Sequence, residues 1–415
     1  MAKRNLKAFY LSFIALCIIS LSAFNFVNHS ESSVRNNGNN DSTKTREFQD
    51  RIDDYCNARI AKSAEEREQN YLKHQIEKDS IEISKYKLDK QNNLKAIDDI
   101  QNKPKVDSTL MANDSLKNEF IQKGKIEIVK YESLIKINEQ NISEKIKVRD
   151  SLSNLLENLP KEISKKNKKI ESCITNLRKF AALADGCLSF NFCGVQYNAY
   201  VVNLDSEEIR MHLFNKDKRN FYSLGAVKEY LENKKLDPLM ITNAGMFTPS
   251  IEPEGLYVES DSKIFYELDT TKRNTNENFY LAPNGVFYVD SNNIAHVEAT
   301  DDFIKVQHSG KTKIQLATQS GPMLLINGKL HDKFVQGSRN EKIRSGVGII
   351  SDKKIIFAIT INESNFYEFA TFFKDVFNCK DALFLDGAIS QMYLKNINPI
   401  TGGHFGPMIS VSKKN

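Results

Sequence analysis

The 415-residue chain has no tryptophan, nine prolines, 18 glycines and six cysteines. Proline and glycine at this level exclude the collagen-like and low-complexity classes, and Phe and Tyr, which supply the aromatic content, predict a largely ordered chain. The sequence also lacks internal repeats and the His/Cys spacings of zinc sites, so we expect neither a metal centre nor a cofactor. Its length allows two or three domains with a sizeable core.

The chain also lacks a strong charge of one sign, because its formal net charge is only +5. Residues 185–415 hold 25 Lys and Arg against 27 Asp and Glu, a net of −2, whereas the first 184 residues hold 33 against 26, a net of +7. In that first part the basic residues are interspersed with acidic ones instead of being gathered on one face. This pattern argues against nucleic-acid binding.

One long apolar run lies near the amino terminus. Lys3, Arg4 and Lys7 precede residues 8–27, which are interrupted only by Ser and Asn. The pattern is typical of a signal peptide or a signal anchor, here covering residues 1–27. Because Leu21 stands where a cleavage site would need a small residue, we expect an uncleaved anchor in the cytoplasmic membrane. The rest of the chain is then exported, to the periplasm or the extracellular side.

The region after the apolar run has the composition of a spacer followed by long helices. Residues 28–47, rich in Ser, Asn and Gly, predict a flexible linker. Residues 48–183 have almost no Gly or Pro and predict a helical coiled-coil stalk. Pro104 and Pro160 divide this stalk into three helices, with a reversal near residues 103–114. We expect a solvated stalk without chemistry, and the alternative is a coiled coil through which the chain binds partners or self-associates.

Five cysteines lie outside the apolar run, so they cannot all be paired. They are Cys56, Cys173, Cys187, Cys193 and Cys379. In an oxidising compartment we expect Cys187 and Cys193, which flank a short segment, to form a disulfide.

Beyond Gly186 the chain changes to short strand-like segments, which predict one domain over residues 187–415. Helices are expected at residues 224–233 and from Asn365, where Glu368 has the spacing of a capping box. The predicted strands cover residues 197–204, 209–214, 255–258, 263–268, 279–281, 285–289, 314–318, 323–326, 347–350 and 354–361. Many strands with few helices predict an α+β fold, a mixed and largely antiparallel sheet domain preceded by the helical region.

The segment ALFLDGAIS at residues 382–390 is the strongest candidate for a functional site. Four apolar residues predict a buried strand that ends at Asp386, Gly387 and, shortly after, Ser390. Polar side chains at strand ends are exposed yet held rigidly, and a glycine there lets a ligand approach the backbone closely. The alternative is a simple turn in which Asp386 only accepts backbone hydrogen bonds.

Similar polar groups occur at other predicted strand ends. They include Asn243 and Gly245 in TNAGMF, and Ser320 and Gly321 in QSGPMLL. Arg344 stands among glycines and valines, which indicates either a packed site needing an anionic partner or a surface ion pair.

Together these segments resemble the phosphodiester glycosidase family, whose members include the lysosomal uncovering enzyme that removes N-acetylglucosamine from a mannose-phosphate diester. The bacterial branch is especially similar, and the resemblance covers residues 198–412. The matching phrases are TNAGMF, P-x-GLY, NFYLAPNGVFYV, QSGPMLLINGKLH, IRSGVGI, NFYEFA and ALFLDGAIS, in this order from residue 242.

The resemblance implies a hydrolase that cleaves a sugar-1-phosphodiester through an oxocarbenium-like transition state. Asp386 would stabilise that charge, attack the anomeric carbon or take a proton from water. Arg344 would grip the phosphate with a two-point hydrogen bond, from the same cleft as Asp386. Asn243 and Ser390 would orient substrate oxygens.

The remaining substrate-binding candidates are Asn278, Ser320, Gly387 and two glycines, Gly245 and Gly321, that would open backbone N–H groups to the ligand.

The second catalytic carboxylate stays open between three residues. Glu259 follows a predicted strand and is preferred, Glu254 is expected to be solvated, and Glu363 is the third choice. His404, in a glycine-rich loop, either lines the site or is simply exposed.

Two other functions compete with the hydrolase. One is a non-catalytic module that binds an envelope glycan or phosphate. The other makes the stalk the working part, but we expect the domain to keep its activity when residues 48–180 are deleted.

Overall fold

The computed structural model describes residues 41–102, 114–259, 263–273, 277–387, 389–395, 397 and 402–414. The expected membrane anchor at residues 1–27 lies outside these residues, as does most of the expected linker, whose last residues already belong to a helix. None of the described helices combines the length and the apolar character needed to cross a membrane.

Two long helices, α1 (Asp41–Gln101) and α2 (Asp114–Ala181), form a packed pair. Lys145 bridges to Asp79 at 3.0 Å and Lys90 to Glu139 at 2.7 Å, so the helices run antiparallel. The expected division at Pro160 is wrong, because α2 continues through this proline. A proline inside a long helix can be accommodated by a local bend when packing holds the helix on both sides, and the preceding Leu159 is buried.

The amino-terminal part of α1 and the carboxyl-terminal part of α2 belong to the core of the sheet domain. Phe48 of α1 packs edge-on against Phe190 at 5.4 Å between ring centroids, and Tyr55 stacks on Phe192 at 5.8 Å. Leu177 of α2 is fully buried in the same cluster. Burying such side chains contributes about 1.5–3 kcal/mol each, so deletion of residues 48–180 would expose an apolar face of the domain.

A disulfide joins Cys56 of α1 to Cys193 of the sheet domain. The expected pair of Cys187 and Cys193 is therefore wrong. Residues 186–192 form a strand, and a strand advances about 3.3 Å per residue, which places the two cysteines about 20 Å apart. Cys187 is a free thiol.

The described part of the sheet domain contains three shorter α-helices: α3 (Leu224–Asn233), α4 (Thr300–Ser309) and α5 (Phe366–Thr371), which continues as a π-helical turn over Phe372–Val376. Its strands among the described residues are β1 (Gly186–Phe192), β2 (Val195–Asn203), β3 (Glu207–His212), β4 (Pro238–Asn243), β5 (Tyr257–Glu259), β6 (Lys263–Tyr266), β7 (Gly285–Asp290), β8 (Ala295–Ala299), β9 (Ile314–Ser320), β10 (Met323–Ile326), β11 (Lys329–Leu330), β12 (Ser345–Ser351), β13 (Lys354–Thr360), β14 (Ala382–Asp386), β15 (Met392–Leu394) and β16 (Met408–Lys413).

These strands form three sheets in the orders β1-β2-β13-β12-β14-β10-β11, β15-β4-β16-β3 and β6-β5-β9-β7-β8. Every pairing recorded between them is antiparallel, for example β12 with β14. The predicted α+β class is confirmed. Residues 279–281 are an exception to the predicted strands, because Asn278–Tyr280 is a 3-10 turn.

Strand β14 is fixed on both faces before it reaches Asp386. Phe384 packs in the core cluster that also contains residues of α1 and α2, the two helices that together form a helical hairpin. Leu383 and Leu385 pack in a second cluster. All four residues before Asp386 are buried. This alternation makes β14 a rigid support for whatever its carboxyl end presents.

Candidate active site

Asp386 ends β14 directly opposite Ser345 of β12. Its Oδ1 accepts a hydrogen bond from the Gly387 N–H at 2.6 Å. Burial raises the pKa of Asp386 to about 6, the Gly387 hydrogen bond lowers it, and the charge of Glu254 raises it further. A carboxylate this poorly solvated is a candidate for chemistry at near-neutral pH.

Three polar side chains pack together beside the backbone of Asp386. Asn243 Nδ2 donates to Ser345 Oγ at 3.1 Å, and Ser345 Oγ lies 2.9 Å from Ser390 Oγ. The Ser345 hydroxyl also donates to the carbonyl of Asp386 at 3.3 Å. All three are buried, so this network holds the turn after β14 in place by satisfying its polar groups internally.

Ser320 connects β14 to the loop that carries Glu254. Its hydroxyl donates to the carbonyl of Leu385 at 2.8 Å and accepts from the N–H of Met246 at 3.4 Å. The carbonyl of Met246 in turn accepts from the N–H of Glu254 at 3.0 Å. A short chain of hydrogen bonds therefore brings the backbone of Glu254 to the residue before Asp386.

The charge of Glu254 acts on Asp386, and two further carboxylates act on Glu254. Burial raises its pKa, the charge of Glu277 raises it further, Arg273 lowers it, and Asp269 raises it. We call Asp386, Glu254, Glu277 and Asp269 the carboxylate cluster. Within the described part of the chain, no three His, Cys, Asp or Glu side chains are close enough to hold a metal ion.

Gln319 fixes two loops of this cluster at once. Its Oε1 accepts from the N–H of Leu256 at 3.0 Å and from the N–H of Asp269 at 2.9 Å, and its Nε2 donates to the carbonyl of Asp269 at 2.7 Å. A Cβ at Gly255 would lie 2.2 Å from Oε1. Glycine at 255 is thus required for the buried amide to reach both loops.

Asp269 and Arg273 both contact Tyr280. The Tyr280 hydroxyl donates to Asp269 Oδ2 at 3.0 Å, and the guanidinium carbon of Arg273 lies 4.4 Å from the ring centroid. Burial raises the pKa of Asp269, but hydrogen bonds from Thr271 and Tyr280 and the charge of Arg273 outweigh it and lower the pKa. Asp269 is therefore held ionised.

Arg344, expected to grip phosphate beside Asp386, lies inside the domain instead. The residue is 1% exposed, its Nε donates to the carbonyl of Ser364 at 2.6 Å and its Nη2 to that of Asn340 at 2.7 Å. The guanidinium carbon lies 3.6 Å from the ring centroid of Phe366. Burial lowers its pKa to about 10. Arg344 directly precedes β12, and its contacts are with Asn340, Ser364 and Phe366 rather than with the polar network that its neighbour Ser345 joins.

Comparison with known proteins decides what this arrangement belongs to. The model of the family described as phosphodiester glycosidase matches residues 238–408. Over 252 residues the chain is 35% identical to "Uncharacterized protein YigE" of Escherichia coli (strain K12), covering 60% of this chain and 93% of that protein. The chain belongs to the phosphodiester glycosidase family. The part that matches the family includes the whole carboxylate cluster.

Two glycines near the candidate site serve packing. The N–H of Gly245, expected to face a ligand, donates to Thr318 Oγ1 at 3.1 Å, and a Cβ there would lie 2.1 Å from the carbonyl oxygen of Gln319. A Cβ at Gly321 would lie 2.7 Å from the carbonyl oxygen of Phe279. Both positions need glycine because backbones approach closely.

The other predicted residues lie in varied surroundings. Glu259, the preferred second carboxylate, accepts from the Tyr257 hydroxyl at 3.2 Å, whereas Glu254 is the carboxylate whose charge acts on Asp386. Glu363 is exposed. Asn278 begins the 3-10 turn that carries Tyr280. His404 is exposed and stacks on Tyr222 at 4.9 Å.

Sequence reasoning missed Asp269, Arg273, Tyr280 and Gln319, and undervalued Glu254. Tyr280 and Gln319 lie within the phrases NFYLAPNG and QSGPMLL, so a search for buried polar side chains in those phrases would have found them. Arg273 lies in a charged loop segment, TTKRNTNEN, in which nothing distinguishes it from a solvated surface residue.

Proposed function

We propose that this phosphodiester glycosidase is an exported hydrolase that cleaves a sugar-1-phosphodiester, with Asp386 acting at the anomeric carbon. One observation carries the proposal. Asp386 stands at the rigid end of β14, poorly solvated and next to a second carboxylate, Glu254, whose pKa is also raised. Titratable pairs perturbed in this way are typical of catalytic sites.

The chemistry requires a group that favours positive charge on the sugar. As the bond between the anomeric carbon and the phosphate oxygen breaks, the electron pair leaves with the phosphate and the sugar gains oxocarbenium character. Ionised Asp386 stabilises that charge or attacks the carbon directly. Water then supplies the new hydroxyl at the anomeric carbon, and Glu254 accepts its proton, replacing Glu259 as the second carboxylate in the proposal.

The buried polar network gives this mechanism its positioning. Asn243, Ser345 and Ser390 hold the turn that follows β14, and Ser320 ties β14 to the loop of Glu254. We assign these residues to orienting Asp386 and Glu254 rather than to binding substrate oxygens. Rigid support of this kind keeps catalytic groups in productive geometry.

Export is supported by two features. Lys3, Arg4 and Lys7 precede an apolar run, the pattern of a signal anchor or signal peptide. The bond between Cys56 and Cys193 is of a kind that persists in the periplasm or outside the cell. We therefore propose a cell-envelope location with membrane attachment through the amino-terminal segment, and self-association through the hairpin stays a prediction.

The test uses Asp386→Asn on the full chain, with a synthetic phosphodiester of N-acetylglucosamine as substrate. We expect kcat/KM to fall by about 10³-fold or more, while binding of the diester, measured by calorimetry, is kept. Asp381→Asn is the matched control, because Asp381 precedes the other end of β14 and its pKa is also raised by burial. That variant should retain turnover.

Asp386→Asn should also change the free energy of unfolding. Folding raises the pKa of Asp386 from 3.8 to about 6, so ionisation of this carboxyl destabilises the fold. That cost is absent below about pH 3.8, grows up to pH 6 and is complete above it. Asp386→Asn should therefore increase the free energy of unfolding by up to about 3 kcal/mol at pH 8, and by less at pH 4.5.

Three results would argue against the hydrolase. They are unchanged turnover in Asp386→Asn, equal loss of turnover in Asp381→Asn, and binding of the diester by the wild-type chain without hydrolysis. The last result would favour a non-catalytic module that binds a glycan or a phosphate.

A further inference from the structure

We infer that Arg273, displayed on the ring of Tyr280, is the residue that binds the phosphate of the substrate. The inference rests on the proposed function, and it names the anion-binding group that the buried Arg344 leaves unassigned.

The geometry of the Arg273 guanidinium suits the binding of an anion. Arg273 is exposed, and its guanidinium carbon lies 4.4 Å from the centroid of the Tyr280 ring. A guanidinium held over an aromatic face keeps its in-plane N–H groups directed outward, and these form the fork that matches two phosphate oxygens. Arg344 is also stacked, over Phe366, but its fork is occupied by backbone carbonyls.

Tyr280, the ring that supports the Arg273 guanidinium, is itself held in place by hydrogen bonds. Tyr280 is held by its hydrogen bond to Asp269, and the backbone of Asp269 is held by Gln319. The next residue, Ser320, donates to the carbonyl of Leu385, directly before Asp386. Hydrogen bonds and the peptide bond between Gln319 and Ser320 thus link the support of Arg273 to the support of Asp386.

A cation near Glu254 also offsets negative charge at the site. An anionic diester bound at Asp386 is repelled by the carboxylate of Glu254, whose charge acts on Asp386. Arg273 is the cation whose charge acts on both Glu254 and Asp269. A guanidinium in this position offsets the repulsion and places the phosphate on one side of the anomeric carbon, leaving the other side to Asp386.

The experiment measures binding separately from turnover. The N-acetylglucosamine phosphodiester is titrated by calorimetry into Asp386→Asn and into the double variant Asp386→Asn/Arg273→Gln. We expect the second substitution to weaken binding at least about tenfold, and Arg273→Lys, which keeps the charge but not the planar fork, to recover only part of it. Phenyl N-acetylglucosaminide, which has no phosphate, should show no difference between the variants.

Lys272→Gln is the matched control. It removes one positive charge from the neighbouring residue, whose ammonium is exposed and bridges to Asp301 at 3.1 Å, so diester binding should change less than about twofold. Equal affinities with and without Arg273, an equal loss with Lys272→Gln, or no binding by Asp386→Asn overturn the inference. Binding that depends on Arg273 in a wild-type chain without turnover would instead overturn the hydrolase and leave the anion site standing.

Discussion

Two of the places where charged side chains meet among the described residues are built in opposite ways. Where the hairpin enters the sheet domain, Arg59 contacts Glu368 through two hydrogen bonds of 2.7 and 2.9 Å, and the Tyr55 hydroxyl donates to Asp375. We call this region the docking interface. In the carboxylate cluster, by contrast, like charges act on one another, and the charge of Glu254 raises the pKa of Asp386.

The difference indicates which charges serve the fold and which serve the chemistry. A partly buried pair of opposite charges that is fully hydrogen-bonded fixes one arrangement of two elements. Like charges held close together cost stability, and such a cost is retained in proteins mainly where a perturbed carboxylate is needed. We therefore assign the docking interface to the fold and propose the carboxylate cluster as the functional region.

The strongest test of the structural side is the double variant Cys56→Ser/Cys193→Ser. The disulfide closes a loop with a sequence separation of 137 residues, so its removal should lower the free energy of unfolding by about 3–4 kcal/mol. Denaturant unfolding measures the effect, and Cys173→Ser, which removes a free thiol of α2, is the control. If both variants unfold at the same denaturant concentration as the wild type, the docking interface does not depend on this bond.

A smaller effect separates the two arginines. Arg344→Met removes the hydrogen bonds to Ser364 and Asn340 and should lower the free energy of unfolding by about 2–3 kcal/mol. The KM for the diester, measured on folded protein, should remain within about twofold of the wild-type value. Arg273→Gln should show the reverse, a raised KM with stability unchanged. A raised KM and unchanged stability in Arg344→Met would instead assign phosphate binding to Arg344.

The smallest effect sharpens the functional side. If ionised Asp386 is the working form, kcat/KM should fall as the pH drops below about 6. Glu254→Gln removes a negative charge that opposes ionisation of Asp386, so the acidic limb of the kcat/KM profile should move to lower pH. Glu277→Gln is the control, because its charge acts on Glu254. A limb that stays in place or moves to higher pH would contradict the assigned coupling.

Local patterns in the sequence predicted the local structure well. Helix α3 has the predicted bounds, and Asn365 caps α5 by accepting from the N–H of Glu368 at 3.0 Å. Asp386 ends a buried strand as expected. These features depend on hydrophobic runs and capping residues within a few positions of one another, which a single sequence displays directly.

Features that depend on distant parts of the chain were not predictable in this way. The partner of Cys193 lies in a helix that the sequence presents as a detached stalk, and Glu254 meets Asp386 only because three sheets bring their loops together. Arg344 directly precedes β12, and a lone arginine among small residues fits either a surface position or a position inside the domain. Strand ends can therefore be located from sequence, whereas the side chains that converge on them cannot.

The bond between Cys56 and Cys193 also determines how a pulling force would travel through the protein. Tension applied at the amino-terminal end of α1 passes from residue 56 directly into the turn between β1 and β2. Residues 57–192, including nearly all of the hairpin, form a closed covalent loop that carries none of this load. A pulling force at the amino terminus would therefore act on the edge of the largest sheet, and the part of the hairpin within this loop would bear no tension.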